Sequence, residues 1–169
     1  MSTVDDAGRT HRYGLPPIVG EGPKVLILGT VPSVKSALKG QYYGNPRNHF
    51  WRLMAETLKA NMPEDYAGRC VVLTENGITL WDVLAECEIR GSGDHTITDP
   101  VPNDIPAFLR ANGSVRHIFI NGMTAFKLYR RFQQSHVAIG STVLPSSSPA
   151  NAIDWDVRLE KWMAIRKVL

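Results

Sequence analysis

The feature that most constrains this chain is a series of short apolar runs that stop abruptly at Gly, Pro, Asn or Ser. Lys24 to Leu28 is followed by Gly29-Thr30-Val31-Pro32-Ser33, with every residue from Val25 to Leu28 aliphatic. A strand that is apolar at each position has both faces covered, as in a parallel sheet packed under helices. Ile78 to Leu84 reads as a second strand running on into a helical piece. Val115 to Ile120 is a third, ending at Asn121-Gly122, and Val137 to Leu144 a fourth, ending at Pro145-Ser146-Ser147-Ser148-Pro149. Between these runs the spacing changes to that of helices. Phe50, Trp51, Leu53, Met54 and Leu58 share one helical face, as do Ala125, Phe126, Leu128, Tyr129 and Phe132. A last helix from about Asp154 carries Trp155, Leu159, Trp162 and Met163. Val71-Val72-Leu73 is a short apolar run flanked by turn residues, and Pro-Asn-Asp opens an apolar-periodic stretch within Pro100 to Arg110.

Strands alternating with helices predict an α/β chain, a three-layer α/β/α sandwich around a short, mainly parallel four-stranded sheet. No repeat or linker divides it. The expected organisation is a loosely held arm over residues 1–23, rich in Gly and Pro, and one domain over residues 24–169. A length of 169 residues suffices for a full hydrophobic core.

Several function classes are excluded or disfavoured. No window approaches 18 consecutive apolar residues, so no membrane-spanning helix is expected. The N-terminus has Asp5 and Asp6 and no apolar core, so it is not read as a secretory signal. Cys70 and Cys87 form no CxxC pair and are expected to be reduced, buried small side chains. Two thiols are too few for an iron–sulfur cluster, which needs four protein ligands. His11, His49, His95, His117 and His136 have no metal-like spacing, so neither a metal nor another cofactor is expected. There is no P-loop, no GxGxxG after a strand and no GxSxG elbow. The net charge of +3 and pI near 9.0 are compatible with a polyanionic partner without requiring one.

In a parallel α/β sheet, ligands bind outside the carboxyl ends of the strands. Here those ends are Gly29 to Ser33, Trp81-Asp82, Asn121-Gly122 and Leu144 to Asn151, the most polar and turn-rich loops of the chain. Their residues carry a resemblance. Gly29-Thr30-Val31-Pro32-Ser33 followed by Tyr42-Tyr43-Gly44-Asn45-Pro46-Arg47-Asn48-His49-Phe50-Trp51 resembles the first motif region of the uracil-DNA glycosylase superfamily. Gly77-Ile78-x-Leu80-Trp81-Asp82-Val83-Leu84, Phe119-x-Asn121-Gly122 and Leu144 to Asn151 follow in the order seen in its hypoxanthine-DNA glycosylase branch, the sixth family. The resemblance covers roughly residues 24–165. Thr30 and Val31 stand where other branches carry the Asp or Asn that positions water.

The resemblance implies that Asn48 and Asn121 are the catalytic pair. An amide can hold a water or hydrogen-bond a base but does not titrate, so neither is a general base. Read from the residues alone, Asn48 also suits a helix N-cap before Phe50, and Asn121-Gly122 suits a turn. Tyr43 aligns with an aromatic that stacks on an extruded base. Thr30, Trp81 and Asp82 are expected to line the same pocket, Asp82 as a reader of base N–H groups. Pro145, Ser146, Ser147, Ser148, Pro149 and Asn151 resemble a loop that enters the duplex, and Arg47 is a candidate phosphate contact.

The reading is a monofunctional DNA glycosylase that extrudes a deaminated base and hydrolyses its N-glycosidic bond, leaving an abasic site. Hypoxanthine is the expected substrate, with uracil or xanthine as further candidates, in double- or single-stranded DNA. A monomer without membrane association is expected, in the cytoplasm or with the nucleoid of a bacterium. The alternatives are a DNA-lesion-binding module without catalysis and a hydrolase of free nucleosides.

Overall fold

The computed structural model describes residues 4–169. In chain order it contains β1 (Thr10–Tyr13), β2 (Val25–Gly29), α1 (Val34–Lys39), α2 (Phe50–Leu58), α3 (Tyr66–Glu75), β3 (Ile78–Asp82), β4 (Leu84–Ile89), β5 (Thr98–Pro102), α4 (Ile105–Ala111), β6 (His117–Asn121), α5 (Met123–Phe132), β7 (Ser141–Leu144) and α6 (Trp155–Trp162). Short 3-10 turns lie at Asp94–Thr96, Gln134–His136 and Met163–Lys167.

Four strands form a wholly parallel sheet in the order β3-β2-β6-β7. The aliphatic run of β2 sits inside it, and all five of its residues are buried. Alternate residues supply two cores. Val25 and Ile27 pack with Phe50, Leu53 and Met54 of α2, Leu73 of α3 and Trp162 of α6 on one face. Leu26 and Leu28 pack with Ile105 of α4 and Ala125 and Tyr129 of α5 on the other. The expected three layers are therefore present.

The run Val71-Val72-Leu73 belongs to helix α3, which Asp65 caps by accepting the Gly68 N–H at 2.8 Å; Leu73 is buried and Val71 exposed. Pro100 to Arg110 divides into β5 and α4, whose N-cap Asp104 accepts the Ala107 N–H at 2.9 Å. Cys87 is buried and Cys70 half-buried, and both are free thiols.

Two expectations are corrected. The second strand does not run on into a helix. After Asp82 the chain turns into strand β4, which joins β1 and β5 in an antiparallel sheet of order β1-β4-β5. In β4, Leu84, Cys87 and Ile89 are buried while Glu86 and Glu88 are half-exposed, so most of the strand alternates faces. Nor are residues 10–18 a loose arm. β1 pairs with β4 from Thr10↔Ile89 to Tyr13↔Glu86, and Ile18 exchanges two backbone hydrogen bonds of 2.9 Å with Leu80. The Tyr42 hydroxyl reaches the carbonyls of Leu15 (3.1 Å) and Pro16 (3.0 Å). The partners of this segment lie some 25 to 80 positions away along the chain, and that separation hid the pairing from a local reading.

Arg12 is the anchor of the segment. Its buried guanidinium donates to the Pro32 carbonyl at 2.7 Å and to the Gly91 carbonyl at 2.9 Å. It thereby joins the loop after β2 to the loop after β4. Removing the guanidinium leaves those carbonyls without this donor, a loss typically worth about 1–3 kcal/mol. Arg12→Met should lower unfolding stability by that amount in urea denaturation. An unchanged midpoint would mean that β1 contributes nothing to holding these loops.

Candidate active site

Parallel register brings four strand ends to one side of the sheet. Gly29 of β2 pairs with Asp82 of β3, and Asn121 of β6 with Leu144 of β7. Over these ends lies a cleft of about 470 Å³. Thr30, Tyr43, Asn48, Asp82, Asn121 and Ser146 to Pro149 all line it, so residues from five distant stretches meet there. A volume of this size is ordinary for a small-molecule site.

Asn121 is only 8% exposed and is fully engaged. Its Oδ1 accepts the Ser147 N–H at 2.9 Å, which settles the orientation of the amide because a backbone N–H needs an acceptor. Its Nδ2 donates to Tyr43 Oη at 3.0 Å and to Ser147 Oγ at 2.9 Å. Direct donation to a base, the role expected from the sequence, therefore requires one of these bonds to be exchanged. The amide couples the aromatic wall of the cleft to the serine loop.

Asn48 stands one residue before His49, which occupies the N-cap position of α2 without a side-chain cap bond. Asn48 Oδ1 accepts the Phe50 N–H at 2.9 Å at the start of α2, while the residue also lines the cleft. Its Nδ2 has no protein acceptor among the described residues, so its N–H groups remain available.

Tyr43 stacks on Phe50 with ring centroids 4.0 Å apart and planes 18° from parallel. Its backbone is left-handed, with φ of 51°, an uncommon conformation for a bulky residue. Burial holds its phenol above the ordinary range, with Asp82 adding to the shift, so the hydroxyl stays neutral. Gly29 allows the close approach of both residues. A Cβ there would lie 2.5 Å from Asp82 Oδ1 and 3.0 Å from Tyr43 Oη.

Asp82 is 4% exposed, and its Oδ2 has no hydrogen-bond partner. Burial pushes its carboxyl up to about 7, and the neighbouring Asp94 charge adds to the shift. Asp94 lines the same cleft; desolvation also raises its carboxyl, while the Thr30 hydroxyl opposes that shift.

The segment Pro145 to Asn151 is held from below. Arg158 of α6, buried, donates through Nε to the Ser146 carbonyl at 3.2 Å and through a terminal nitrogen to the Asn151 carbonyl. Trp162 Nε1 donates to the Pro145 carbonyl at 2.9 Å, and the His49 N–H to the Ser147 carbonyl at 2.9 Å. Gly122, with φ of 92°, lets the Ser146 side chain pass; a Cβ there would lie 3.1 Å from Ser146 Cβ.

Not every expected site residue lines the cleft. Trp81 is turned away and packs against Phe108 of α4 with centroids 5.1 Å apart, because neighbours on a strand point to opposite faces. Pro145 and Asn151 serve within the loop, where Asn151 Nδ2 donates to the Ser146 carbonyl at 3.2 Å. Arg47 is exposed, between Asn45 and Asn48 of the rim. Sequence reasoning missed Arg158, Trp162 and Asp94. The tryptophan was read only as helix core, and the other two carry no local pattern that sets them apart. Among the described residues no group of three or more His, Cys, Asp or Glu is placed to hold a metal.

Comparison with known proteins places the chain in a family. The model of the Uracil DNA glycosylase superfamily matches residues 16–166. The chain belongs to that superfamily. Membership makes it a DNA glycosylase, a hydrolase of N-glycosyl bonds. The chain is 36% identical over 155 residues to the hypoxanthine DNA glycosylase of Methanosarcina acetivorans, covering 91% of this chain and 97% of the relative. It is 31% identical over 154 residues to the protein of the same name from Methanosarcina barkeri, covering 89% and 95%. A solution NMR structure from Methanosarcina acetivorans, described as a candidate uracil DNA glycosylase, superposes with a TM-score of 0.81 at 35% identity, covering 92% of this chain and 96% of that one. No helix among the described residues is long and apolar enough to cross a membrane.

The raised Asp82 carboxyl has a consequence for stability. Near neutral pH the folded protein keeps a proton that the unfolded chain has lost. This group's contribution therefore falls as pH rises from the ordinary carboxylate range through about 7, then levels off. The slope is at most ~1.4 kcal/mol per pH unit for one proton. Asp82→Asn should remove this component. Urea denaturation from pH 5 to 8 should give the variant a flatter stability profile than the wild type; parallel profiles would place the Asp82 titration outside this range.

Proposed function

We propose that the enzyme extrudes hypoxanthine from DNA into this cleft and hydrolyses its bond to C1′ with water, leaving an abasic site. The observation that carries the reading is the joining of an aromatic wall to a serine-rich loop through one amide, with Asn121 hydrogen-bonded to both Tyr43 and Ser147. A glycosylase must unstack its target and fill the gap in the duplex. Tyr43 offers an aromatic surface for the extruded base, and Ser146 to Pro149 form a pre-shaped loop for insertion beside the phosphates. The two Methanosarcina relatives named hypoxanthine DNA glycosylase support the choice of base.

In this mechanism the bond from C1′ to the base nitrogen breaks with its electron pair leaving on the base, and positive charge develops on the sugar. Water then bonds to C1′ and loses a proton. Asn48, with free amide N–H groups at the cleft, orients that water or the sugar side of the transition state. Thr30 and Asp82 face the base. Asn121 is a positioning residue that holds Tyr43 and the inserting loop together, and Arg47 meets a phosphate at the rim.

Duplex and single-stranded oligonucleotides, each carrying one deaminated base, test the reading when alkali reveals abasic sites. Release of hypoxanthine is expected, with uracil slower. Uracil release without hypoxanthine release would reassign the substrate. Binding without release would indicate a lesion-binding module, and activity on free deoxyinosine alone a nucleoside hydrolase.

Asn48→Asp separates capping from chemistry, since the carboxylate still accepts the Phe50 N–H but offers no amide donor. Its melting temperature should stay near the wild-type value while single-turnover release slows by roughly 10² to 10³. A variant with wild-type rates would confine Asn48 to the helix start.

A further inference from the structure

Among the described residues, Asp82 is the titratable group of the cleft wall that carries a buried oxygen without a partner, and the chemistry so far leaves it idle. We propose that Asp82 is the general acid of the reaction, donating its carboxyl proton to N7 of the departing purine as the bond to C1′ breaks. The proposal rests on the purine reading of the site and deepens it, by giving a reason for a purine rather than a pyrimidine leaving group.

The carboxyl is placed by the sheet and not by a loop. Asp82 is the last residue of β3, paired in register with Gly29, and its own carbonyl accepts the Asn103 Nδ2 at 2.8 Å. The absent side chain of Gly29 makes room for Oδ1. Oδ2 is left without a partner and is itself shielded from solvent, in a residue that lines the cleft. An oxygen buried without a partner is costly unless something in the cleft satisfies it. A proton on it, donated onward to a ligand nitrogen, does so.

The surroundings favour the acid over the carboxylate. The charge acting on Asp82 is the Asp94 carboxylate, from the 3-10 turn beyond β4. Tyr42 and Tyr43, from the segment before α2, both have raised phenols and stay neutral. Among the described residues no cation forms a hydrogen bond or ion pair with the carboxyl, and Lys35, which also lines the cleft, does not offset the shift. With burial, this lifts the carboxyl to about 7, a value suited to a proton donor at neutral pH.

The proton balance closes. Asp82 gives its proton to N7, the bond between C1′ and N9 breaks, and the base leaves neutral. Water forms the new bond to C1′, and the proton it releases restores the Asp82 acid through solvent. A purine has a ring nitrogen, remote from the glycosidic bond, that can accept this proton. Uracil offers only carbonyl oxygens and departs as an anion, so the same acid assists it less.

The test is single-turnover release from duplex oligonucleotides containing 2′-deoxyinosine between pH 5.5 and 9. The wild-type rate should fall about tenfold per pH unit above the Asp82 titration. Asp82→Asn should be roughly 10² or more slower at pH 6 and insensitive to pH across the same range. At pH 6, where Asp82 is protonated, melting temperature and affinity for a duplex carrying the slowly cleaved 2′-fluoro-2′-deoxyinosine should be retained. A probe that needs no variant is 7-deaza-2′-deoxyinosine, which lacks the proton acceptor. The wild type should release its base far more slowly, and Asp82→Asn should slow that release no further. A wild type that releases hypoxanthine with a flat profile, or an Asp82→Asn enzyme with the wild-type profile, overturns the general acid alone. So does equal loss of rate on deoxyinosine and its 7-deaza analogue. A wild type that releases no hypoxanthine overturns the substrate reading, and the acid with it.

Discussion

The backbone register of β2 with its neighbours is the interaction on which the rest of this structure depends. Val25 to Gly29 pair residue for residue with Ile78 to Asp82, and Val25 to Leu28 with His117 to Ile120. Every side chain of β2 is buried, so a slip by one residue would exchange the two cores as well as the partners. At the carboxyl end the same slip in β3 would swap Trp81 for Asp82, turning an indole into the cleft and the carboxyl toward Phe108. Burying aliphatic side chains on both faces holds this register, at about 25 cal/mol for each Å² of apolar surface removed from water. The position of the site is thus a consequence of core packing, although most residues of the site are polar.

A second consequence is that the loops over the strand ends are tied down by hydrogen bonds without having regular structure. Pro145 to Asn151 takes hydrogen bonds from Asn121 at the end of β6, from the His49 N–H before α2 and from Arg158 and Trp162 on α6. The bonds from His49, Arg158 and Trp162 are received by backbone carbonyls, Asn121 bonds the Ser147 hydroxyl and accepts its N–H, and the Ser146 and Ser148 hydroxyls accept the N–H groups of Ser148 and Ala150 within the loop. Ordering a loop costs roughly 1–2 kcal/mol of backbone entropy per residue. Here that cost falls on folding and not on the encounter with DNA. Arg12 does the same for the loops after β2 and β4, which supply Thr30 and Asp94.

The electrostatics of the cleft follow from the same burial. Two carboxylates, Asp82 and Asp94, line a site whose ligand is a polyanion. As anions they would oppose DNA binding. Desolvation raises both, and Asp82 most clearly, so the site carries less negative charge at neutral pH than its composition implies. Basic residues remain at the rim, among them Lys35, which lines the cleft, and the exposed Arg47.

Much of this was legible in the sequence. The aliphatic run Val25 to Leu28 has one economical home, the middle of a covered sheet. The turn-rich strand ends mark where the cleft forms, and four residues singled out by the family motifs, Asn48, Tyr43, Asp82 and Asn121, line it. These signals are local, expressed in spacing and composition over a few residues. What only the tertiary structure decided is long-range pairing. β1 needs β4, some 79 positions away, before it is a strand at all, and residues 10–18 therefore read as a loose arm. Ile78 to Leu84 read as a strand running on into a helical piece, and only the flanking β1 and β5 make Leu84 to Ile89 a separate strand. Trp81 and Asp82 are adjacent in sequence, and only the pleat of a strand in fixed register sends one to α4 and the other to the cleft. Arg158 looks like any surface arginine of an amphipathic helix until the loop it supports folds over it, because hydrogen bonds to backbone carbonyls leave no mark in the sequence of the residues that accept them.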